Sequence, residues 1–324
     1  MDGGILDVDL LAYERGGAAT RQAVLSGLRQ SLRTGFVYSS HDLSSDLLDT
    51  AYGLLAEFFH APLALKQRFH RPEAHGQTGY TGLLVETAAG EDRADWKEML
   101  NWSAPLPAHH PLRRKYPLAY PQGVLPEEVV PGITAVLRRF HDAMAEFQRR
   151  FLRLIAVGLG ADESLFEEMV LEAPTLTRAL RYPPMAESPP GGHVWAAAHA
   201  DINLITVLPR ATGPGLEVCV DGQWQSVVPT EDRLIINTGL MLERLSNGHF
   251  PSGWHRVIAP PGVQEERISV VQFCHPRPST ILAPLACCCQ HPTPQRFAAF
   301  SAADALEDVL YRIQLLQPSH AGLM

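Results

Sequence analysis

Residues 199–208, HADINLITVL, begin with an imidazole and a carboxylate two positions apart and continue as an apolar run broken only by Asn203 and Thr206. Read as one strand, His199 and Asp201 share a face, because strand side chains alternate with period two. Downstream, FPSGWHRV places His255 at the head of another β-like run, and antiparallel pairing can bring so distant a residue to the same point. Two imidazoles and one carboxylate on one side of an octahedron leave three positions free, which is the arrangement of non-haem iron(II) oxygenases. The same donors also serve hydrolytic zinc sites. In a chain with 14 histidines, His193, His249 and His275 are equally available, so three unrelated residues is the plain alternative.

A second pair lies just beyond. Arg267 and Ser269, in RISVVQF, also share a strand face. A guanidinium fork with a hydroxyl beside it makes a carboxylate receptor. An arginine pointing into an apolar strand interior is costly unless it meets an anion. The structural alternative is an ion pair with Glu265 or Glu266. The run Cys287, Cys288 and Cys289 is a weaker signal, since adjacent cysteines do not easily converge on one ion.

These residues need elements to position them. The chain has 324 residues, 46% of them apolar, enough for a substantial core. The net charge of −8 and the lack of a long basic run argue against nucleic acid as a partner. No apolar stretch is long enough to cross a bilayer, and the N-terminus has no secretion-signal pattern, so no membrane role is expected. Five cysteines, three of them consecutive, do not make a disulfide framework, and a reducing cytoplasm is the expected location.

ILDV (5–8) and GFVYSS (35–40) read as strands. A helix capped by Thr20 carries Val24, Leu25, Leu28 and Leu32, and a second spans about 45–59. Residues 71–125 are rich in Pro, Gly and His and read as a long irregular stretch. A long helix follows, with Ile133, Leu137, Phe140, Met144, Phe147 and Phe151 on one stripe, Pro131 in its first turn, and Gly158 and Gly160 at its end. From 176 to 285 short β-rich runs recur (TLTRALRY, NLITVL, GLEVCV, QWQSVV, RLIINTG, HRVIA, RISVVQF), as in sandwiches and jelly rolls. A closing helix covers 301–313. The expected organisation is one domain over 1–324: a mainly helical part (1–175), a β core (176–285), and a C-terminal helix and tail (286–324).

Taken in order, these pieces resemble the isopenicillin N synthase-like iron(II)/2-oxoglutarate-dependent oxygenases. The matching segments are GFVYSSHD (35–42), FFHAPLALKQRF (58–69), GYTGL (79–83), DWKEMLNW (95–102), RYPP (181–184), HADINLITVL, GLEV (215–218), the run 234–257, and RISVVQFCHP (267–276). The resemblance implies a mainly β fold, a double-stranded β-helix or jelly roll with helices packed outside and an N-terminal helical region. It implies that His199, Asp201 and His255 hold Fe(II), and that Arg267 and Ser269 bind the distal carboxylate of 2-oxoglutarate. Tyr182 matches a tyrosine that often also reaches this co-substrate. Two departures stand out: Leu180 replaces an asparagine of the family, and Gly239-Leu240 stands where many relatives have Gly-Asp.

The implied chemistry consumes O2 and 2-oxoglutarate, releases succinate and CO2, and hydroxylates an unactivated C–H bond of a small metabolite, such as an amino acid derivative or a natural-product intermediate. Asp201 speaks against halogenation, because chlorinating relatives generally lack the carboxylate. The alternatives are an oxidase of the same fold that does not use 2-oxoglutarate, and desaturation or ring formation. The stretch 71–125 is expected to border the pocket. Trp96, Asn101 and Trp102 either line it or pack structurally, and Arg181 is expected in a salt bridge on the sheet's outer face. His193 and Trp195 are expected in a surface loop. Nothing in the sequence speaks to oligomeric state.

Overall fold

The β-rich runs pair into two facing sheets. The computed structural model describes residues 4–227, 230, 232–289 and 294–316; Val228 of the run QWQSVV and the tail 317–324 lie outside the described residues. In chain order the strands are β1 (Asp7–Val8), β2 (Phe36–Ser40), β3 (Gly79–Thr81), β4 (Glu98–Ser103), β5 (Leu176–Tyr182), β6 (Ala196–His199), β7 (Ile205–Leu208), β8 (Leu216–Val220), β9 (Gln223–Ser226), β10 (Arg233–Thr238), β11 (His255–Val257) and β12 (Arg267–Cys274). Among the described residues the major sheet has the order β1-β2-β10-β7-β12-β5-β4-β3 and the minor sheet β6-β11-β8-β9. Apart from the parallel edge pair β1–β2, neighbours run antiparallel. This is the jelly roll implied by the sequence.

The major sheet is covered on both faces, which is why its strands read as continuous apolar runs rather than alternating ones. On the outer face, Ala179, Val207, Leu234, Ile236, Ile268 and Val270 join Leu55, Phe58, Leu137, Met144, Phe147 and Phe151 in one core. Those partners sit on the helices Ser45–His60 and Ile133–Leu159. Ser44 caps the first, its side chain accepting from the Leu47 N–H. On the inner face, Phe36, Met99, Leu180, Tyr182, Leu208 and Ile235 pack against Trp195, Leu216, Val218 and Val257 of the minor-sheet side.

Several local expectations need correction. The helix carrying Val24 and Leu28 runs Ala18–Ser31 with Gly17 as its N-cap, so Thr20 sits inside the first turn. The long helix starts after Gly132, which leaves Pro131 outside it, and Gly158 lies within it; Gly160, at φ 78°, ends it in the left-handed conformation. The stretch 71–125 is not irregular throughout, because β4 is an integral strand hydrogen-bonded along its length to β5. Its residues Met99, Leu100, Asn101 and Trp102 are buried on both faces, so no polar–apolar alternation marked it as a strand.

Most consequential, HADINLITVL is not one strand. β6 ends at His199, and β7, in the other sheet, begins at Ile205. Residues 200–204 cross between the sheets, and Asp201 lies on this crossing rather than two places along a strand face.

Candidate active site

The crossing nevertheless brings the ligand candidates together. His199 and His255 are directly opposite partners in the β6–β11 ladder, with ring centroids 4.4 Å apart. Asp201 turns back toward them, its Oδ1 lying 3.8 Å from His199 Nε2 and 3.9 Å from His255 Nε2. One donor atom from each residue lies within 4.8 Å of the others, close enough to share an ion. Among the described residues no other group of three His, Cys, Asp or Glu side chains could do so, and all five cysteines are free. The cysteine run 287–289 is not brought together as such a group.

The surroundings of these donors suit a metal. His199 Nδ1 is 2.8 Å from the Ala197 carbonyl and His255 Nδ1 is 3.0 Å from the Gly253 carbonyl. A carbonyl only accepts, so each Nδ1 carries the proton and each Nε2 offers a lone pair toward the shared point. Burial first, and then the neighbouring His255, push the His199 imidazole down to about 4, which keeps it neutral near pH 7. Asp201 divides its oxygens between two tasks. Oδ2 accepts from Thr206 Oγ1 at 2.6 Å and from Asn237 Nδ2 at 2.9 Å, leaving Oδ1 for an ion. Burial alone raises the Asp201 pKa, but the two imidazoles and these two hydrogen bonds outweigh it and hold the group below its ordinary value. Two imidazoles with their Nε2 atoms turned to one point and one oriented carboxylate fit Fe(II).

The centre opens into a cavity of about 390 Å³ between the sheets. Arg267 and Ser269 line its inner end on alternate positions of β12. Arg267 is 2% exposed. It donates to the Gly213 carbonyl at 3.1 Å and to Ser269 Oγ at 2.9 Å, and its guanidinium lies 5.2 Å from the Tyr182 ring centroid. Tyr182 faces it across the β5–β12 ladder. Leu180 occupies the next cavity-facing position, opposite Ser269, so no amide donor stands there. The expected ion-pair alternatives for Arg267 are not realised: Glu266 is engaged by Arg181 at 2.6 Å and by His60 at 2.8 Å. Arg181 also meets Glu98 at 2.7 Å on the face turned away from the cavity, as its strand position predicts.

Other candidates fall differently. Within DWKEMLNW it is Asp95 and Lys97 that reach the cavity. Trp102 donates to the Leu137 carbonyl on the long helix, Trp96 donates to the Pro184 carbonyl, and Asn101 holds Arg178 at 2.7 Å. Trp195 is not in a surface loop; it is 1% exposed and packs on Tyr182 with ring centroids 5.7 Å apart and the planes tilted by 39°. His193 is half-buried, with Nδ1 2.8 Å from the Ala94 carbonyl. Three features escaped the sequence reading. Thr206 and Asn237 steer Asp201, and their only signal was to be polar within apolar strands. Phe273 and His275 continue the Arg267–Ser269 alternation onto the cavity wall, which period two could have shown. The helix Ala302–Arg312 closes one side through Leu306, Val309 and Leu310, for which the sequence carries no local signal.

Two facing sheets with a metal-suited cluster at their inner cavity define the non-haem iron oxygenase class, and comparison with known proteins agrees. The 2OG-Fe(II) oxygenase superfamily matches residues 174–276, and the N-terminal region of the non-haem dioxygenase in morphine synthesis matches residues 5–128. A structure described as a 2OG-Fe(II) oxygenase family protein from Caulobacter crescentus superposes with a TM-score of 0.83 at 30% identity, covering 96% of this chain and 99% of its own. Gibberellin 20 oxidase 2 of Oryza sativa subsp. indica is 28% identical over 271 residues, 84% of this chain and 66% of its own length; the match thus spans about two thirds of that curated relative. Mugineic-acid 3-dioxygenase of Hordeum vulgare is 28% identical over 301 residues, 92% of this chain and 82% of its own. The chain belongs to the 2OG-Fe(II) oxygenase superfamily. No helix among the described residues is long and apolar enough to cross a membrane.

Proposed function

We propose that this protein is an Fe(II)- and 2-oxoglutarate-dependent dioxygenase that hydroxylates an unactivated C–H bond of a small-molecule metabolite, with one O2 and one 2-oxoglutarate consumed and one succinate and one CO2 released. The observation that carries this is Arg267. Four cations line the cavity, and three have a carboxylate within 4 Å: Lys97 with Asp95 at 2.7 Å, Arg178 with Glu86 at 3.5 Å, and Arg312 with Asp308 at 2.8 Å. Arg267 has none among the described residues, although it is the most deeply buried of the four guanidinium and ammonium groups. A buried cation without a counter-ion is costly, and a dicarboxylate co-substrate relieves that cost.

In this reading His199, Asp201 and His255 hold Fe(II). The chemistry a bound ferrous ion supplies is activation of O2 coupled to oxidative decarboxylation of 2-oxoglutarate. The chain does the rest. Arg267 and Ser269 grip the distal carboxylate, the Tyr182 hydroxyl beside them orients it, and the two Nδ1–H···O=C bonds keep both Nε2 lone pairs aimed at the ion. The apolar walls exclude water, and the far half of the cavity positions one C–H bond. The cavity draws on residues from Phe36 to Ile313, which supports reading 1–324 as one catalytic unit. Free cysteines support a reducing, cytoplasmic setting.

The test is a screen of candidate metabolites for 2-oxoglutarate-dependent gain of one oxygen in mass, with succinate counted per product. Equal amounts are expected. Arg267→Ala should raise the KM for 2-oxoglutarate by about tenfold or more and leave the metal bound. Turnover that needs no 2-oxoglutarate, or activity with Zn(II) in the absence of O2, would overturn the proposal.

A further inference from the structure

The substrate half of the cavity differs in charge from the co-substrate half. Farther along β5 and β12 from the Tyr182–Arg267 pair, its polar wall carries Glu86, Arg178 and His275. The ions there are already matched: Arg178 sits 3.5 Å from Glu86, which also meets Lys97 at 3.7 Å. Several of these contacts are long, so hydrogen-bonding capacity remains. Arg178 spends its one short bond on Asn101 at 2.7 Å, and its other contacts, to Glu86 and to the Gly76 carbonyl, are 3.5 and 3.4 Å.

His275 is the more telling group. It is 6% exposed, it faces the cavity two residues beyond Phe273, and its imidazole has no hydrogen-bond partner among the described residues. Burial leaves this ring neutral near pH 7, so it offers one N–H donor and one lone pair. Its ring nitrogens are not among the sealed, unpaired side-chain atoms, which among the described residues are Gln148 Oε1 and Gln272 Oε1; they open onto the cavity and can meet a ligand there. Leu306, Leu310 and Ile313 of the C-terminal segment add apolar lining, and Phe273 lies beneath the Arg178 guanidinium, 5.3 Å from ring centroid to Cζ.

We infer that this half of the cavity takes an uncharged molecule with a compact apolar body, seated against Phe273 and the C-terminal helix, and one polar edge carrying both a hydrogen-bond donor and an acceptor, matched to His275, Arg178 and Glu86. A carboxylate or ammonium head group would have to break an existing ion pair and leave a buried charge unmatched. A neutral amide-like or hydroxylated edge satisfies the spare donors and acceptors without that cost. His275 is thereby a specificity-determining residue. The inference rests on the reading above, in which Arg267 takes the co-substrate.

Three probes of one shape test it: benzamide, benzoate and benzylammonium, titrated by ligand-observed NMR into the anaerobic Fe(II) protein saturated with 2-oxoglutarate. Benzamide should bind, with both charged probes weaker by about tenfold or more. His275→Leu should weaken benzamide by about tenfold, and His275→Gln, which keeps a donor and an acceptor, should recover most of the loss. Binding of 2-oxoglutarate, followed by the visible charge-transfer absorption of its ferrous chelate, should be the same in all three proteins. The inference is overturned by a charged probe binding as well as benzamide, by no benzamide binding, by His275→Leu leaving benzamide unaffected, or by His275→Leu losing 2-oxoglutarate as well. If the wild-type protein itself takes up no 2-oxoglutarate, the parent reading falls and this one falls with it. Once the co-substrate is bound, the probe series alone decides.

Discussion

At the scale of single residues, the site depends on how Asp201 divides its two oxygens. Thr206 and Asn237 hold Oδ2, which fixes the direction of Oδ1. Hydrogen bonds to a buried carboxylate contribute roughly 1.5–3 kcal/mol each, and partners of this kind typically change metal affinity by about 10- to 100-fold. Asn237→Leu should therefore raise the Fe(II) dissociation constant by about tenfold or more; an equilibrium titration of the apoprotein with Fe(II) under anaerobic conditions measures this. His199→Ala and Asp201→Ala should both abolish turnover, while the thermal melt of the metal-free His199→Ala protein stays within a few degrees of wild type. Among the described residues the only ring that the His199 imidazole packs on is His255, so loss of fold in His199→Ala would count against a purely metal-binding role.

At the scale of elements, the decisive feature is the crossing from β6 to β7. The Gly239 N–H donates to the Leu204 carbonyl at 2.9 Å and the Leu240 N–H to the Asp201 carbonyl at 2.8 Å, pinning the crossing against the end of β10. The approach is so close that a Cβ on Gly239 would lie 2.1 Å from the Asn203 carbonyl oxygen and 2.5 Å from its Oδ1. Backbone cannot yield there as a flexible side chain would. Gly239→Ala should cost about 2 kcal/mol or more and weaken iron binding along with it, seen as a lower urea midpoint and a weaker Fe(II) titration in the same protein. The family's usual Gly-Asp has become Gly239-Leu240 here without disturbing this role, because Leu240 contributes its backbone N–H. Its side chain is 38% exposed at the cavity wall.

At the scale of the molecule, the major sheet must stay docked on the long helix if both faces are to remain closed. His141 on that helix is 2.7 Å from Thr177 Oγ1, and Gln272 Nε2 donates to its backbone carbonyl at 3.0 Å. Burial pushes its imidazole down to about 4. The unfolded chain takes up the same proton near 6.5, so between these values the unfolded state holds more protons. Stability from this residue is therefore complete above about pH 6.5 and is lost as pH falls toward about 4, by something on the order of 3 kcal/mol. Urea melts of the metal-free protein at pH 7 and pH 5 should show a drop, and His141→Asn should make it smaller, the remainder belonging to His199 and His275, which burial also holds down. An unchanged slope in that variant would assign the drop to other groups.

Much of this protein was settled by its sequence alone, wherever short-range backbone sterics determine the outcome. The stripe from Ile133 to Phe151 had to be a helix lying on something apolar. Period two placed Arg267 and Ser269 on one strand face, and the residue types of His199, Asp201, His255 and Arg267 led to the expectation of a metal and an anion. Tertiary structure decided what depends on partners far along the chain. It moved Asp201 from a strand face to a crossing between sheets and made β4 a strand with no alternation to mark it. It paired Glu86 with Arg178 and Asp95 with Lys97 while leaving Arg267 unmatched, and it brought the C-terminal helix over the cavity. Local periodicity records which side of an element faces inward; which charges meet there is set only when the two sheets close on one another.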